Sequence, residues 1–234
     1  MLFRVPNEPP GVAGCFTYWA FQETIKGIES NFRIQGALSM STLRASTASG
    51  ADTRSKLLQK AAALSQTVGY DALSLQELAN ELGIRKASIF HYFASKDELA
   101  CAVIEADMKL FSEWQETVEH LNPVERLSRY FDHYRNMISH GHVCPGGAFA
   151  VSWPLLQGKV KDALVNMHKQ HITFLDDLIR DGITLGSFKP LAIPSDVVKS
   201  IPDMLQGAIQ VGRAGSSIIP INRIERLTKV LLGV

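Results

Sequence analysis

The sequence predicts an all-α fold in which a small N-terminal helix-turn-helix unit precedes a larger helical body. After residue 52, apolar residues recur at three- and four-residue steps, which is the period of an amphipathic helix. No segment shows the two-residue alternation that is typical of a half-buried strand. The stretch 74–99 also carries start and stop signals for successive short helices.

The first helix of this stretch is marked at both ends. Ser74 and Glu77 have the spacing of a capping box, in which a hydroxyl and a carboxylate bind the free amides at a helix start. Gly83 stands where a helix needs a left-handed residue to stop. The apolar stripe between these signals consists of Leu75, Leu78, Ala79 and Leu82.

A second helix of about two turns is predicted from Lys86 to Phe93, with Ile89 and Phe93 facing inward. Ser95 and Glu98 repeat the capping box, so a third helix begins there. A helix, a glycine turn and a second short helix are the layout of a helix-turn-helix DNA-binding unit, which we call the reader.

The charges of this stretch agree with DNA binding. From Gly83 to Ser95 there is no acidic residue, while Arg85 and Lys86 are basic. Lys96 follows at a helix start, where free amides and the dipole favour a phosphate. The alternative is an ordinary solvated helical hairpin. The caps, the turn and the acid-free run together favour DNA binding.

The stretch 53–99 resembles the TetR (tetracycline repressor-like) family of bacterial transcription regulators. The run IFHYF-x-SK-x-EL at 89–99 carries most of the resemblance. The pattern of the family's first helix is matched upstream by Thr53, Arg54, Leu57, Leu58, Ala61, Ala62, Leu64 and Gly69. The resemblance implies double-stranded operator DNA as a partner and a C-terminal helical domain for effector binding and dimerisation.

The resemblance also implies which residues contact DNA. Lys86 and Ala87 fall on the exposed first turn of the recognition helix, where side chains reach base edges. Gln76 matches a position that reaches a base or a phosphate. The positions matching phosphate contacts are Thr53, Arg54, Ser88, His91, Tyr92 and Lys96.

The chain departs from the family pattern at two positions of the reader. Arg85 stands where a small capping residue is common, and it would reach a phosphate or a guanine instead. Phe90 replaces the usual tyrosine, so we expect it to act mainly through packing, with a thymine-methyl contact as the alternative.

The composition fits a globular protein with one large or two small domains. The 234 residues carry a net charge of +1, so any basic surface must be local. Three cysteines are an odd number and widely spaced, which favours a reducing cytosol over a disulfide framework. No apolar run approaches the ~20 residues of a membrane helix. We therefore expect a cytoplasmic protein without a membrane partner.

We expect three regions: an extension over 1–51, the reader over 52–99, and a ligand-binding and dimerisation domain over 100–234. Residues 1–39 lack an amphipathic repeat and the features of a secretory signal. Met40 opens a polar stretch that is typical of a flexible arm, so we expect the natural start there.

In the larger domain, helical periodicity predicts helices over 99–120, 124–138, 149–156 and 159–185, with a break at 145–147. The first of them joins the reader to the larger domain, so its tilt would move the reader.

Two further apolar stripes end the chain, and we expect them to form a homodimer interface as the resemblance implies. The alternative is that they pack on the chain's own core. A twofold dimer would place two recognition helices about one DNA turn, ~34 Å, apart on a palindromic operator. The expected interface residues are Val197, Ile201, Met204, Leu205, Ala208, Ile221, Ile224, Leu227 and Leu231.

The resemblance also implies a cavity for a small, partly apolar effector. Each candidate could instead be plain core, as aromatic and methionine stripes often are. We expect no cofactor, and no metal, because the nearby His and Asp residues form no convincing ligand set. The candidates are Phe131, Tyr134, Met137, Cys144, Phe149, Trp153, Met167, His168, Phe174 and Met204.

Cys144 has a second possible role. It precedes Pro145 and lies near His140 and His142 in sequence, and it loosely resembles the cysteine of electrophile- or oxidant-sensing relatives. An imidazolium or a helix N-terminus nearby would lower its pKa and favour the thiolate. The alternative is a buried, inert thiol.

The leading hypothesis is a repressor that binds its operator as a dimer and is released by an effector. The alternatives are a thiol-based sensor acting through Cys144 and an interaction module that does not bind DNA. An enzyme is disfavoured, because the sequence has no phosphate-binding glycine loop, nucleophile elbow or metal cluster.

Overall fold

The reader consists of three helices. The computed structural model describes residues 43–71 and 73–234, and throughout this part of the chain the regular structure is helical, with no strand. The reader's helices are α1 (Leu43–Val68), α2 (Leu75–Glu81) and α3 (Lys86–Ile89). Within the described ranges, no helix is long and apolar enough to cross a membrane.

The predicted helix caps at Ser74 and Ser95 are present, although neither has both hydrogen bonds of a complete capping box. The Ser74 hydroxyl accepts a hydrogen bond from the Glu77 amide at 3.3 Å. The Ser95 hydroxyl accepts one from the Glu98 amide at 3.1 Å. The Glu98 carboxylate accepts from the Ala94 amide at 2.7 Å, one residue before the expected partner. These bonds define the starts of α2 and of the helix that follows α3.

The expected flexible arm before residue 52 is partly helical, because α1 begins at Leu43. Ala45, Ala48 and Ala51 are strong helix formers, and they extend a helix whose later turns are fixed by packing. The expected start at Met40 and the extension over 1–39 lie outside the described residues.

The recognition helix is shorter than predicted. Gly83 has φ +64°, as a left-handed helix stop requires. Helix α3 then covers only Lys86–Ile89, and residues 90–92 continue as turns. The Phe93 amide still donates to the Ile89 carbonyl at 2.9 Å. Ile89 and Phe93 are therefore buried side by side on the inner face, as predicted.

The larger domain is built from six α-helices and one 3₁₀ turn within the described residues. The predicted break at 145–147 is wrong, because Pro145 occupies the first turn of a helix, where its missing amide costs no hydrogen bond. The elements are α4 (Lys96–Val118), α5 (Pro123–Ser139), α6 (Pro145–Ala150), the 3₁₀ turn (Trp153–Leu155), α7 (Gly158–Thr184), α8 (Pro194–Gly215) and α9 (Ile219–Leu232).

Polar bonds tie these helices together around the apolar core. The Gln170 amide on α7 donates to the Met108 carbonyl on α4 at 3.0 Å. The Arg135 guanidinium on α5 binds the Glu225 carboxylate on α9 at 2.6 Å and the Asn222 side chain at 3.2 Å. Helix α4 thus connects the reader directly to the packed body.

Part of the expected dimer interface belongs to the chain's own core. The apolar stripes of α8 and α9 are wide enough to supply both an inner and an outer face. The inner positions, each at most 7% exposed, are Ile201, Leu205, Ala208 and Ile221. Val197, Met204 and Ile224 are half-buried, whereas Leu227 and Leu231 are exposed.

Candidate functional site

The outer face of α3 is a compact basic surface. Arg85 precedes the helix, and Lys86 and Ala87 form its exposed first turn. In the part of the chain that the structure describes, neither Arg85 nor Lys86 has an acidic partner. Buried Ile89 anchors the opposite face, so the polar face points away from the reader's core.

Phe90 is exposed, which contradicts the packing role that the sequence predicted for it. Nearly half of its surface, 48%, is accessible, next to the exposed His91. Ser88 and Tyr92 are half-buried at the edges of the same face. Because α3 ends at Ile89, the chain turns and leaves the Phe90 ring outside the core. The sequence did contain one sign of this exposure: Phe90 lies within the acid-free run that was predicted to face DNA.

Lys96 is held in place by the loop between α1 and α2. Its ammonium donates to the Asp71 carbonyl at 3.1 Å and lies 4.3 Å from the centre of the Tyr70 ring. The Tyr70 hydroxyl in turn donates to the Asp97 carboxylate at 2.5 Å. Partial burial lowers the pKa of Lys96, although Asp71 and Asp97 oppose this shift.

The remaining predicted DNA contacts lie on α1 and α2. Gln76 is exposed, and its amide donates to the Asn80 side chain at 3.0 Å. The Arg54 guanidinium lies 4.8 Å from the centre of the Phe93 ring, while Thr53 is half-buried.

The larger domain contains a cavity of about 630 Å³ between α5, α6, α7 and α8. Five of the predicted effector contacts line it: Tyr134, Cys144, Trp153, Met167 and His168. The other five lie outside its lining: Phe131, Met137, Phe149, Phe174 and Met204. Lining residues that the sequence analysis missed include Leu164, Lys169, His171, Gln206 and Gln210.

The residues outside the lining have other packing partners. The Phe174 ring lies 5.5 Å from the Tyr130 ring and 5.3 Å from the Trp114 ring. The Phe149 ring meets Tyr70 of the reader edge-on at 5.7 Å. Helical spacing correctly identified these side chains as inward-facing. It could not show which inward-facing side chains line the cavity and which pack in the core.

The inner wall of the cavity carries neutral hydrogen-bonding groups. The Tyr134 hydroxyl lies 3.0 Å from the Tyr130 hydroxyl. His171 Nδ1 lies 3.3 Å from the Tyr130 oxygen and 3.4 Å from the Tyr134 oxygen. Burial lowers the pKa of His171 to about 3, so the imidazole is neutral near pH 7. Burial raises the pKa of Tyr134 well above 10.

Cys144 is buried, and its surroundings oppose thiolate formation. Burial is the main reason that its pKa rises to about 11, and the nearby Asp107 carboxyl adds to the shift. Gln206 and the backbone amides of Gly146 and Gly147 act in the opposite direction but do not offset burial. The lowered pKa that the sensor hypothesis requires is therefore absent at Cys144, and the inert-thiol alternative is favoured.

Helix α6 lies between the cavity and the reader. Gly146, Gly147 and Ala150 line the cavity. The other side of this helix touches the end of α1, where the Phe149 ring packs on Tyr70. Just before α6, the Val143 amide donates to the Gln66 carbonyl of α1 at 3.1 Å.

Comparisons with known proteins agree with this arrangement. Residues 57–103 match the family model described as bacterial regulatory proteins, tetR family. The chain is 25% identical over 182 residues to the HTH-type transcriptional repressor KstR2 of Mycobacterium tuberculosis, covering 77% of this chain and 91% of that protein. It is 24% identical over 188 residues to the HTH-type regulator YxaF of Bacillus subtilis, covering 77% and 95%.

Solved structures share the same fold. A TetR-family transcriptional regulator from Agrobacterium tumefaciens superposes with a TM-score of 0.73 at 22% identity, covering 78% of this chain and 99% of that one. The reduced form of NemR from E. coli superposes with a TM-score of 0.70 at 21% identity, covering 77% and 97%.

The burial of Cys144 predicts that its thiol resists alkylation in the folded protein. With a pKa of about 11, the thiolate fraction at pH 7.5 is roughly one in three thousand. We expect iodoacetamide to label Cys144 at least ~100-fold more slowly in the native protein than in urea, as measured by peptide mass spectrometry. Labelling of native Cys144 at the rate of the unfolded control would restore the sensor hypothesis.

Proposed function

We propose that this chain, a member of the TetR family of DNA-binding bacterial transcription regulators, represses transcription as an operator-bound dimer that a small molecule releases. The observation that carries the proposal is the exposed, acid-free face of α3, which the caps and Gly83 hold outside the reader's core. Because bacterial DNA lies in the cytoplasm, we infer that the protein acts there.

Base recognition is assigned to the exposed end of α3. Lys86 and Arg85 are long donors without acidic partners in the described chain, so either is free to bind the acceptor edge of a guanine. The small side chain of Ala87 would allow the backbone of α3 to approach the base edges closely. The exposed Phe90 ring offers an apolar contact to a thymine methyl group.

Phosphate binding is assigned to the polar residues around this face. Lys96 is the strongest candidate, since the loop fixes its charge near the start of α4. Such contacts set the register of a protein on the duplex and carry little sequence information. The other residues proposed to contact the backbone are Thr53, Arg54, Ser88, His91 and Tyr92, and Gln76 is proposed to contact either a base or a phosphate.

Dimerisation is assigned to the outer faces of α8 and α9, here called the α8–α9 face, and the proposed occupant is a second copy of the chain. Val211, Leu227, Val230 and Leu231 are each at least half exposed, and Val230 reaches 76%. Apolar side chains concentrated on two packed helices are typical of a protein interface. A twofold axis through this face would also present two copies of α3 to a palindromic operator.

The helix between cavity and reader supports release by a ligand. A molecule in the cavity touches α6 through Gly146, Gly147 and Ala150. The far side of α6 supports Tyr70, whose ring and hydroxyl position Lys96 and Asp97. A ligand that binds better to a shifted α6 would therefore disfavour the DNA-binding arrangement.

Two lysine variants test the assignment of base and phosphate contacts. We expect Lys96→Ala to weaken binding to all duplexes similarly. It should also reduce the slope of the logarithm of the binding constant against the logarithm of the salt concentration by about one. Lys86→Ala should in addition relax the preference for operator over random DNA, by about tenfold. Fluorescence anisotropy with fragments from the promoter of its own gene measures both quantities.

Lys109→Ala is the matched control, because Lys109 is exposed on α4 and paired with Glu113 at 3.5 Å. It should leave both affinities unchanged. An unchanged preference in Lys86→Ala would contradict the base-reading role. Absence of binding to any promoter fragment at low salt would favour the interaction-module alternative.

A charge on the α8–α9 face tests dimerisation. In Val230→Glu, the carboxylate would be desolvated in the interface without a partner, so the dimer should dissociate at least ~100-fold more readily. Val68→Glu alters an exposed valine outside this face and should leave the dimer intact. Light scattering coupled to size exclusion over a concentration series reports both. A monomeric wild-type protein, or an undisturbed Val230→Glu dimer, would contradict the proposal.

A further inference from the structure

The cavity's chemistry identifies the class of molecule that it accepts. We propose that the effector is an uncharged, mostly hydrocarbon molecule that carries one neutral hydrogen-bonding group, such as a hydroxyl, and that carboxylates and ammonium ions are excluded. This inference rests on the proposed release of operator DNA by a ligand in this cavity. The new element is the charge and polarity that the ligand must have.

The cavity is large enough for a whole small molecule. Its volume of about 630 Å³ lies within the range of roughly 300–1,000 Å³ that is common for sites enclosing drug-sized ligands. A single ion would occupy only a small part of this space.

Most of the wall is apolar. Ala150, Val151 and Leu164 contribute aliphatic surface, and Met167 and Pro202 continue it. Contact with such side chains favours hydrocarbon, which gains free energy on leaving water roughly in proportion to the area buried. The body of the ligand is therefore a chain or ring system made mainly of carbon.

No lining residue inside the cavity supplies a counter-charge for an ionic group. Among the lining residues, Lys169 is the one with a permanent charge, and it is exposed to solvent. His168 is also exposed and lies 3.6 Å from the Asp203 carboxylate outside the lining. The His171 imidazole and the Cys144 thiol within the wall are neutral near pH 7. An ionised group placed there would lose its hydration without gaining a partner, which disfavours its binding.

A carboxyl behind the wall makes an anion still less favourable. Asp107 on α4 raises the pKa of both Cys144 and Tyr134, so its charge acts on the same end of the cavity. Burial raises the pKa of Asp107 itself to about 7, which reflects poorly hydrated surroundings. A ligand carboxylate would add a second negative charge to this region. A ligand ammonium would find no direct partner there, because Asp107 is not among the residues that line the cavity.

The same end supplies neutral partners for a hydroxyl. Tyr134 and His171 already share hydrogen bonds there, and a hydroxyl both donates and accepts. Gln206 also lines the cavity, and its Oε1 is buried without a donor among the described residues. Gly147 leaves room for that oxygen in its present position, because a Cβ there would lie 2.4 Å away. A ligand hydroxyl that reaches Gln206 would supply the missing donor.

Three probes of equal chain length separate the possibilities: 1-decanol, decanoate and decylammonium. Isothermal titration of the full-length protein at pH 7.5 should show decanol binding at least ~10-fold more tightly than either ion. The proposal is overturned if decanoate or decylammonium binds as tightly as decanol, or if none of the three binds.

Variants establish that the cavity is the site. Leu164→Trp fills it and should weaken decanol binding at least ~10-fold, whereas Leu185→Trp, at an exposed position outside the lining, should not. Tyr134→Phe should weaken decanol several-fold and leave the affinity for decanoate unchanged. Equal decanol affinity in Leu164→Trp and wild type would also overturn the proposal, because binding would then lie elsewhere.

Operator release is measured separately with the same probes, so that the two proposals fail independently. If decanol binds preferentially but does not release DNA, the ligand class stands and ligand-controlled repression fails. If decanoate binds more tightly and releases DNA, ligand-controlled repression stands and the ligand class fails.

Discussion

The contact between the end of α1 and helix α6 is the constraint on which the account of this protein depends. The Phe149 ring supports Tyr70 edge-on at 5.7 Å. Tyr70 in turn lies beneath the Lys96 ammonium and binds the Asp97 carboxylate. Because the opposite side of α6 lines the cavity, one six-residue helix has the cavity on one side and the reader on the other. A shift of α6 would therefore change both the shape of the cavity and the contact between Phe149 and Tyr70.

The two surfaces differ in charge: the outer face of α3 is basic, whereas the cavity is lined mainly by neutral groups. The reader presents Arg85 and Lys86 without acidic partners in the described ranges, as phosphate and base binding require. The cavity surrounds its contents with neutral groups, because burial keeps His171 uncharged and Cys144 protonated. The net charge of +1 for the whole chain does not reveal this difference, because the positive charge is concentrated on one small surface.

Sequence patterns predicted the reader better than the cavity. The caps at Ser74 and Ser95 and the turn at Gly83 depend on local interactions, so a single sequence reveals them. The helical fold followed from periodicity for the same reason. The cavity depends on which inward side chains leave space between helices, and periodicity does not distinguish Phe174 in the core from Met167 in the wall. The exposure of Phe90 and the burial of Ile201 likewise depend on where helices end and pack.

A double-mutant cycle on operator affinity tests the coupling through α6 most directly. It compares wild type, Tyr70→Leu, Phe149→Leu and the double variant, all without ligand. We expect Phe149→Leu to weaken operator binding although it lies outside the reader, and the effect to be largely lost once Tyr70 is replaced, with a coupling free energy above about 0.5 kcal/mol. Additive effects, or unchanged affinity in Phe149→Leu, would contradict transmission through this contact.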